Sequence, residues 1–307
     1  TLWISTYGRI FRRLGEDRWD VIGEAELGWF PWILALTEDH EGNIWLGSGT
    51  NGLFRAWPGW YNQWSQDEGL SDTFVWSMHP AREGGLWIGM KTGVDRFDDG
   101  RFRTVVDAGD LPNPSAYTLL ETASGDLLLG TEAGLAVRTL DGATPIDGFP
   151  AVGTVYSLRE PTPGRVWVGT EQGLFHLRDL RPHALPSIEP LDRLSVRYTL
   201  AEDDGLWVAT ERGLYWLDDD GARPADGPAV AESAFFTVIA DVGGGRLIAG
   251  TLKQGLLVRG SDRTWRHVPP SRGLPSDTAF YLVVDDGWLW GTSHEGLFRI
   301  RVDELFE

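Results

Sequence analysis

The amino-acid sequence predicts an all-β fold, a β-propeller built from four-stranded blades. Two observations predict it: a motif that recurs eight times at a nearly constant interval, and four short strand-like segments within each interval. No segment shows the sustained 3.6-residue period of apolar residues that a helical repeat requires. Repeats of about 40 residues with four strands each are typical of propeller blades. We therefore expect residues 1–307 to form a single propeller domain.

The repeated motif is a strand that usually contains tryptophan, followed by a turn that ends in glycine. Clear copies are Ile44-Trp45-Leu46-Gly47, followed by Gly52, and Leu86-Trp87-Ile88-Gly89, followed by Gly93. The turn glycines recur about every 41 residues, at Gly8, Gly52, Gly93, Gly134, Gly173, Gly213, Gly255 and Gly296. We expect the tryptophans to fill the wedge between neighbouring blades, where sheets pack face to face.

The third repeat shows how one interval divides into strands, labelled a to d from the channel outward. Residues 74–78 form an apolar run (a), 86–89 carry the motif (b), and 94–97 and 101–105 alternate (c and d). The Asp-Gly pair before strand d suits a tight hairpin turn. The first repeat lacks strand a, and after strand c of the last repeat residues 302–307 could supply a short strand d.

The number of blades follows from which strand is counted. Eight b–c pairs favour an eight-bladed ring with an incomplete first blade, and we favour this arrangement because residues 1–14 carry a full motif that needs burial. The seven inner strands leave a seven-bladed ring as the alternative, with Arg18 to Val21 completing the last blade and so closing its open edge. We expect the chain to be an excised fragment, whose first inner strand was lost by truncation.

Composition excludes several classes of protein. The chain has 27 basic and 45 acidic residues and a net charge of −18, which argues against binding nucleic acid or an anionic membrane surface. It has no cysteine, so disulfides, a thiolate zinc site and a cysteine nucleophile are excluded. No window approaches the ~20 apolar residues of a membrane span, and we expect no direct membrane insertion.

The repeats resemble those of the two-component regulator propeller family. The resemblance rests on the pattern Gly-x-Leu-Trp-Ile-Gly-Thr-x-x-Gly-Leu-x-Arg and on the entry loops 69–74 and 273–278, and it covers essentially the whole chain. It implies a periplasmic (extracytoplasmic) sensor region of a bacterial transmembrane receptor. In that family a β-sandwich, a membrane helix and an output module, a histidine kinase or a diguanylate cyclase, follow the propeller. None of these modules occurs in this chain, and they are the partners that the resemblance implies.

Ligand-binding candidates come from the end of the propeller where the d–a loops and b–c turns meet. Aligning the a strands places aromatic residues at one predicted position: Trp32, Trp76, Tyr117, Tyr156, Tyr198, Phe236 and Tyr281. Two interpretations stay open. These rings pack between blades around the axis, or they form an aromatic rim for a flat ligand such as a sugar ring.

The entry loops and turn tips at the same end add further candidates. Trp29 and Phe74 lie in entry loops. Positive side chains break the repeat symmetry at Lys91, Arg197, Arg212, Lys253 and His294. They could receive an anionic sugar or a carboxylate, although solvated surface charge is the alternative. The tryptophans 29, 32, 57, 60, 64 and 76 crowd the second and third repeats, so any aromatic ligand surface is expected on that side.

Catalytic, metal and cofactor motifs find little support in the sequence. No two of the 6 histidines have metal-ligand spacing, and no Gly-x-Ser-x-Gly elbow, phosphate loop or calcium loop occurs. We expect no cofactor and no metal. The acidic residues at the opposite end are expected to bond their own turns. Among them, residues 37–45 resemble the Asp-box turn of sialidases with one residue too many.

Three functional hypotheses remain. The leading one is an extracytoplasmic ligand-sensing propeller that binds a small ligand, with carbohydrate as one candidate, or a partner on the loop end. The second is a propeller enzyme, a carbohydrate lyase or glycoside hydrolase, whose site would be assembled from scattered blades. The third is a protein-interaction scaffold without a small-molecule site.

Overall fold

The computed structural model describes residues 2–15, 18–28, 32–57, 60–111, 113–183, 188–202, 205–274, 276–294 and 296–306. These residues form 30 strands in eight antiparallel sheets, six of four strands and two of three. The fold is an eight-bladed β-propeller, which confirms the predicted all-β class and the favoured blade number.

The chain divides into two compact units. The first contains Trp3–Val168 and Phe175–His183, and the second contains Gly169–Leu174 and Ala184–Glu307. Blades 1 to 4 lie in the first unit: β1 Trp3–Thr6, β2 Arg9–Arg13, β3 Trp19–Ile22; β4 Ile33–Glu38, β5 Ile44–Ser48, β6 Leu53–Trp57, β7 Trp60–Trp64; β8 Val75–Pro80, β9 Leu86–Met90, β10 Gly93–Asp98, β11 Arg101–Asp107; β12 Thr118–Glu121, β13 Leu127–Thr131, β14 Gly134–Thr139, β15 Gly142–Pro145.

Blade 5 comprises β16 Val155–Thr162, β17 Arg165–Thr170, β18 Gly173–Arg178 and β19 Arg181–Pro182. Blades 6 to 8 lie in the second unit: β20 Val196–Glu202, β21 Gly205–Thr210, β22 Gly213–Asp218, β23 Gly221–Pro224; β24 Phe236–Gly243, β25 Arg246–Thr251, β26 Leu256–Arg259, β27 Trp265–Val268; β28 Tyr281–Asp285, β29 Trp288–Ser293, β30 Gly296–Arg301. Three short helices are α1 Glu24–Leu27, α2 Val230–Ser233 and α3 Val302–Phe306.

The first blade shows why the seven-bladed alternative is wrong. Strand β3 pairs with β2, with Ile10 opposite Ile22 and Arg13 opposite Trp19. The segment proposed to complete the last blade therefore completes the first one instead. Its sheet has the order β1-β2-β3, so the described residues of the first blade contain no strand a, as predicted.

The last blade ends in a helix rather than in the short strand expected after strand c. Helix α3 buries Val302 and Leu305 in an apolar cluster with Phe298 and Leu256. Apolar residues three positions apart lie on one face of a helix, whereas a strand would turn them to opposite faces. The spacing of this pair therefore favours the helix.

The strand-b tryptophans fill the wedges between blades, as predicted. Trp45 is 1% exposed. It stacks on Trp64 of its own blade at 5.4 Å between ring centroids, and it meets Phe97 of the third blade edge-on at 5.0 Å. Trp64 is therefore part of the core, and it does not belong to the ligand surface that the clustering of tryptophans predicted.

Strand c supplies a cation to most of these tryptophans. Directly opposite the strand-b tryptophan, the guanidiniums of Arg12, Arg55 and Arg96 lie 5.4, 5.5 and 4.8 Å from the centroids of Trp3, Trp45 and Trp87. Such placement is favourable because the face of an aromatic ring is electronegative.

In the fourth and seventh blades this arginine is displaced by one residue along strand c. Val137 and Val258 stand opposite strand b, and Arg138 and Arg259 follow them. Because a shift of one residue turns a side chain to the other face of the sheet, each arginine lies over the tryptophan of the preceding blade. The distances are 5.4 Å from Arg138 to Trp87 and 5.2 Å from Arg259 to Trp207.

The b–c turns are closed by the residues that the motif repeats. The turn glycines all have φ between 78° and 137°, a region that side chains with a Cβ rarely adopt. In four blades the preceding threonine hydroxyl donates to the carbonyl of that glycine, at 2.9 Å for Thr131 and Thr170 and 2.7 Å for Thr210 and Thr251. Sequence and hydrogen bonding thus fix the same turn in successive repeats.

The acidic residues at the a–b turns have two structural roles. The Asp39 carboxylate accepts hydrogen bonds from its own turn, from the Asn43 amide at 2.9 Å, and from the Trp45 indole at 2.7 Å. Burial alone would raise the pKa of Asp39, but these hydrogen bonds outweigh it and lower the pKa. Glu160 instead joins two blades, because it accepts from the backbone of Ala123 at 2.5 Å and of Gly164 at 2.8 Å. The prediction that acidic residues bond their own turns is therefore correct for Asp39. Glu160 bonds its own turn and also the turn of the preceding blade.

Candidate functional site

Five aromatic residues from the first four blades adjoin at the loop end of the first unit. The backbone of Tyr7 pairs with that of Trp32 in an isolated bridge. Trp32 meets Phe74 edge-on at 5.7 Å, Phe74 lies 4.5 Å from Trp76, and Trp76 stacks on Tyr117 at 4.3 Å with 21° between the planes. We call these five residues the aromatic ladder.

The two ends of the aromatic ladder differ in how much ring surface they offer. Tyr7 is 78% exposed and Trp32 is 38% exposed. Trp76 is half-buried and contacts two rings, with Tyr117 stacked on it and Phe74 tilted against it. The inner rings therefore fit the interpretation as packing between blades, and the open platform is formed by Tyr7 and Trp32.

Gly49 provides the surface on which the Trp32 indole rests. A Cβ at Gly49 would lie 2.9 Å from Cε3 and 3.0 Å from Cδ2 of Trp32. The Gly49 amide also donates to the Trp32 carbonyl at 2.9 Å. The absence of a side chain at this turn thus permits the flat placement of the indole.

Replacing Gly49 with alanine is expected to push the indole off the turn. Overpacking of this kind typically costs about 1–3 kcal/mol of unfolding free energy, which urea denaturation would measure. Gly109 is the matched control, because a Cβ there meets nothing within 4 Å. Equal stability of the two alanine variants would contradict the assigned role of Gly49.

The inner end of the aromatic ladder is polar. The Tyr117 phenol hydrogen-bonds to Glu132, which also accepts from the Asn113 amide at 3.2 Å. Burial, and then this hydrogen bond, raise the pKa of Tyr117 to about 12. Tyr117 is therefore a protonated donor at neutral pH, and it holds the Glu132 carboxylate at the edge of the ring stack.

The entry loop that carries Phe74 is anchored from the core. Asp95 is fully buried on β10, and its carboxylate accepts from the Ser71 backbone at 2.8 Å and from the Ser71 hydroxyl at 2.9 Å. Asp72 then accepts from the Phe74 amide at 2.9 Å and from Thr92 at 2.7 Å. These bonds fix the backbone on which the middle of the aromatic ladder stands.

The predicted alignment of seven aromatic residues at one position is wrong for Trp32, Tyr198 and Phe236. Equivalent turn amides donate to the carbonyls of Trp32, Phe74, Ser195 and Phe235, so Trp32 corresponds to Phe74 rather than to Trp76. By the same count Arg197 and Thr237 correspond to Trp76. The a strands of these four blades, that of Trp76 included, share a register shift at this point. The bulge is therefore common to them, and the misplacement comes from aligning the strands on their aromatic residues alone.

The remaining aromatic candidates are not brought together with the ladder in one cluster. Phe236 is fully buried and packs with Trp207 and Trp265, so it is core. Tyr198 packs against the same cluster. Tyr156 is half-buried on β16, and Tyr281 is exposed on β28. Trp29 lies outside the described residues, as do the side chains of Trp57 and Trp60.

Most of the predicted cationic candidates lie in the second unit. Arg197 lies over Phe235 at 5.4 Å, and His294 meets Phe280 edge-on at 4.7 Å. Arg212 is exposed, and Lys253 is exposed with a φ of 70°. Lys91, in the first unit, is exposed in the turn next to Phe74, whose carbonyl accepts from the Lys91 amide at 3.0 Å.

Two residues of the site were missed by sequence reasoning. Tyr7 was overlooked because the first repeat has no strand a to align, although an aromatic residue at a turn tip was a usable signal. Asp95 interrupts the apolar pattern of strand c, where other repeats carry residues such as Phe54 and Leu257. A charged residue at a core position was the signal for it.

Within the described ranges, neither a metal-binding cluster nor a membrane-spanning helix is found. There, no group of three or more His, Asp or Glu side chains is arranged to hold a metal ion. No helix within these ranges is long and apolar enough to cross a membrane.

Comparison with known proteins identifies structures of similar fold. No family model and no curated protein matches the sequence. The extracellular domain of the putative hybrid two-component system BT3049 from B. thetaiotaomicron is similar, with a TM-score of 0.64 and 16% identity over 96% of this chain and 42% of that one. The extracellular domain of the putative one-component system BT4673 from the same organism has a TM-score of 0.64 and 22% identity, over 88% of this chain and 38% of that one.

An enzyme also has a similar fold. The GH74 xyloglucanase from Xanthomonas campestris gives a TM-score of 0.60 and 15% identity over 88% of this chain and 52% of that one. At these identities the likeness concerns the fold alone. The chain spans about two fifths of the length of the two extracellular domains.

Proposed function

We propose that the chain is the sensory propeller of an extracytoplasmic bacterial receptor of the two-component regulator propeller type, and that it binds its ligand at the outer end of the aromatic ladder. The observation that carries the site is the exposed pair Tyr7 and Trp32, of which the Trp32 indole rests on Gly49. The structural likeness to receptor extracellular domains supports the sensory role. The repeats and entry loops support the family.

Carbohydrate is the ligand class that this surface suits best. The open face of Trp32 can cover the C–H face of a sugar ring, as aromatic rings at binding sites commonly do. Hydroxyl and amide groups beside it, at Thr50 and Asn51 in the turn that follows Gly49, can receive sugar hydroxyls. Binding of the ligand would be passed to a β-sandwich and a membrane-anchored output module of the same receptor.

Thermal-shift measurements with cello-, xylo-, arabino- and manno-oligosaccharides test this proposal, because a ligand that binds only the folded state raises the Tm. For a sugar that does so, Trp32→Ala and Tyr7→Ala are each expected to raise the Kd at least about 10-fold, as is typical of central aromatic contacts. Leu140→Ala is the control, since Leu140 is exposed at a c–d turn away from the ladder.

Two results would overturn the proposal. Absence of any stabilising sugar would contradict the carbohydrate assignment, and unchanged affinity in Trp32→Ala would contradict the placement at the aromatic ladder. The Glu121 carboxylate, at an a–b turn, does not support the enzyme alternative. Glu121 accepts from the Trp87 indole at 2.7 Å and from the Arg82 amide at 3.0 Å, so it is engaged in holding two blades together.

A further inference from the structure

The fifth blade departs from the pattern of tryptophan and arginine at the centre of blades 1 to 3. Where strand c of blades 1 to 3 holds an arginine over the strand-b tryptophan, strand β18 holds His176. Its imidazole stacks on Trp167, with 4.5 Å between centroids and 28° between planes. A permanently charged group is thus replaced by one that is charged only at acidic pH.

His176 is buried without hydrogen-bond partners. It is 4% exposed. Neither ring nitrogen has a partner within the part of the chain that the structure describes. His183 meets it edge-on at 5.7 Å. Two N–H groups of an imidazolium in this place would be left unpaired, and an unpaired buried charge is costly.

The arginines at the corresponding positions have acceptors that His176 lacks. Arg12 donates to the Asp20 carboxylate at 2.6 Å. Arg96 donates to the backbone carbonyls of Phe97, at 2.7 Å, and Gly84. A guanidinium over an indole is therefore stabilised in those blades by both the ring face and a hydrogen-bond acceptor.

The charged groups that act on His176 are all basic. They are Arg178 on its own strand, Arg165 on β17 and His183 beyond β19. Stacking on Trp167 favours the protonated form, as a cation–π contact does. Burial and these neighbours oppose it more strongly, and they lower the pKa of His176 to about 4.

The outer edge of the same blade is weakly held. Strand β19 has two residues, and its pairing with β18 consists of Leu177 opposite Pro182 and Arg178 opposite Arg181. The turn before it places Asp179 at a φ of 47° and Leu180 at 60°. Left-handed backbone at a leucine is strained, and release of the strand would relieve that strain.

We propose that the fifth blade is an acid-sensitive element, in which protonation of His176 releases the outer strand β19 from β18. Release of the strand lets the imidazolium reach water and removes its unpaired N–H groups from the interior. His183, whose amide donates to the His176 carbonyl at 2.8 Å, leaves with the strand. The proposal concerns this blade alone and does not rest on ligand binding at the aromatic ladder.

The direction of the pH dependence follows from the two states of His176. An exposed histidine titrates near 6.5, so between pH 6.5 and about 4 the opened state takes up a proton that the closed state does not. The closed blade keeps its full stability above pH 6.5 and loses it as the pH falls through that range. The opening equilibrium is expected to shift on the order of 100-fold.

Nuclear magnetic resonance of the wild-type chain gives a direct test. The His176 C2 proton, assigned by triple resonance, is expected to titrate with a midpoint below 6.5, between the value of about 4 in the closed blade and that of an exposed histidine. Amide exchange in β18 and β19 is expected to accelerate at pH 5 relative to pH 7, after correction for intrinsic rates, more than in the other blades. A His176 midpoint near 6.5, or equal acceleration in all blades, would overturn the proposal.

Variants separate His176 from the other titrating groups. In His176→Phe, which keeps the stacking on Trp167, the extra exchange of β18 and β19 at acidic pH is expected to disappear. His183→Gln, the matched control in the same ring pair, should retain it. If the extra exchange persists in His176→Phe, or is lost only in His183→Gln, a group other than His176 causes it and the proposal is wrong. If His176→Phe does not fold, the wild-type titration still decides the outcome.

Discussion

Replacing Trp45 with alanine is expected to lower the free energy of unfolding by about 3–5 kcal/mol, the usual cost of emptying a buried aromatic site. Trp45 is 1% exposed. It stacks on Trp64, meets Phe97 of the next blade, and donates to Asp39 at 2.7 Å. The change therefore creates a cavity between two blades and also leaves the Asp39 carboxylate without one of its donors.

Urea denaturation measures this effect, and Trp32→Ala is the matched control. Trp32 is the same residue type at 38% exposure, and we expect it to cost about 1 kcal/mol, as for an ordinary substitution. A shift in midpoint without a change in slope would identify a pure loss of stability. Similar costs at both positions would contradict the division into core and platform tryptophans.

The second large effect is expected for Glu202→Ala, which should cost about 3 kcal/mol. Glu202 accepts from the Arg259 guanidinium with both oxygens at 2.9 Å and from the Trp207 indole at 2.8 Å. The Arg259 side chain is 6% exposed and that of Glu202 is 26% exposed. Removing the acceptor leaves a buried cation unpaired, which typically costs 3–5 kcal/mol, and the partial exposure of Glu202 places the expectation at the lower end.

An exposed ion pair in the same unit provides the comparison. Arg193 and Glu189 approach to 3.0 Å, with side chains 72% and 71% exposed. Because solvent screens such pairs, Arg193→Ala should cost no more than about 1 kcal/mol. Both variants can be followed by thermal and urea unfolding. If Glu202→Ala lowered the free energy of unfolding no more than Arg193→Ala does, the hydrogen bonds of Glu202 to Arg259 and Trp207 would add nothing to stability.

The eight blades could be predicted because each one is specified locally. Turn glycines such as Gly93 are needed by the backbone of the turn itself, whatever surrounds it, so their spacing counts the blades directly. The strand-b tryptophans were equally predictable. A large apolar residue at a fixed place in every repeat has to pack against the same place in the next one.

The site was less predictable because its geometry depends on contacts between repeats. The aromatic residues of strand a do not share one position. Trp32, Tyr198 and Phe236 lie one or two residues away from the position that Trp76 occupies, and only the pairing of strand a with strand b shows this. Tyr7 joins the aromatic ladder through pairing with Trp32, a contact across blades that no single repeat contains. The helix after the last strand was likewise outside the repeat pattern.

The shifted arginines have a consequence for how this protein can be rebuilt. The seventh blade supplies the cation that lies over Trp207 of the sixth, where Trp216 occupies the usual arginine position. A shuffled or permuted array that separated these two modules would leave Trp207 without a guanidinium and Glu202 without its counter-ion. In a rearranged or engineered propeller, blades 6 and 7 should therefore be kept together as one unit.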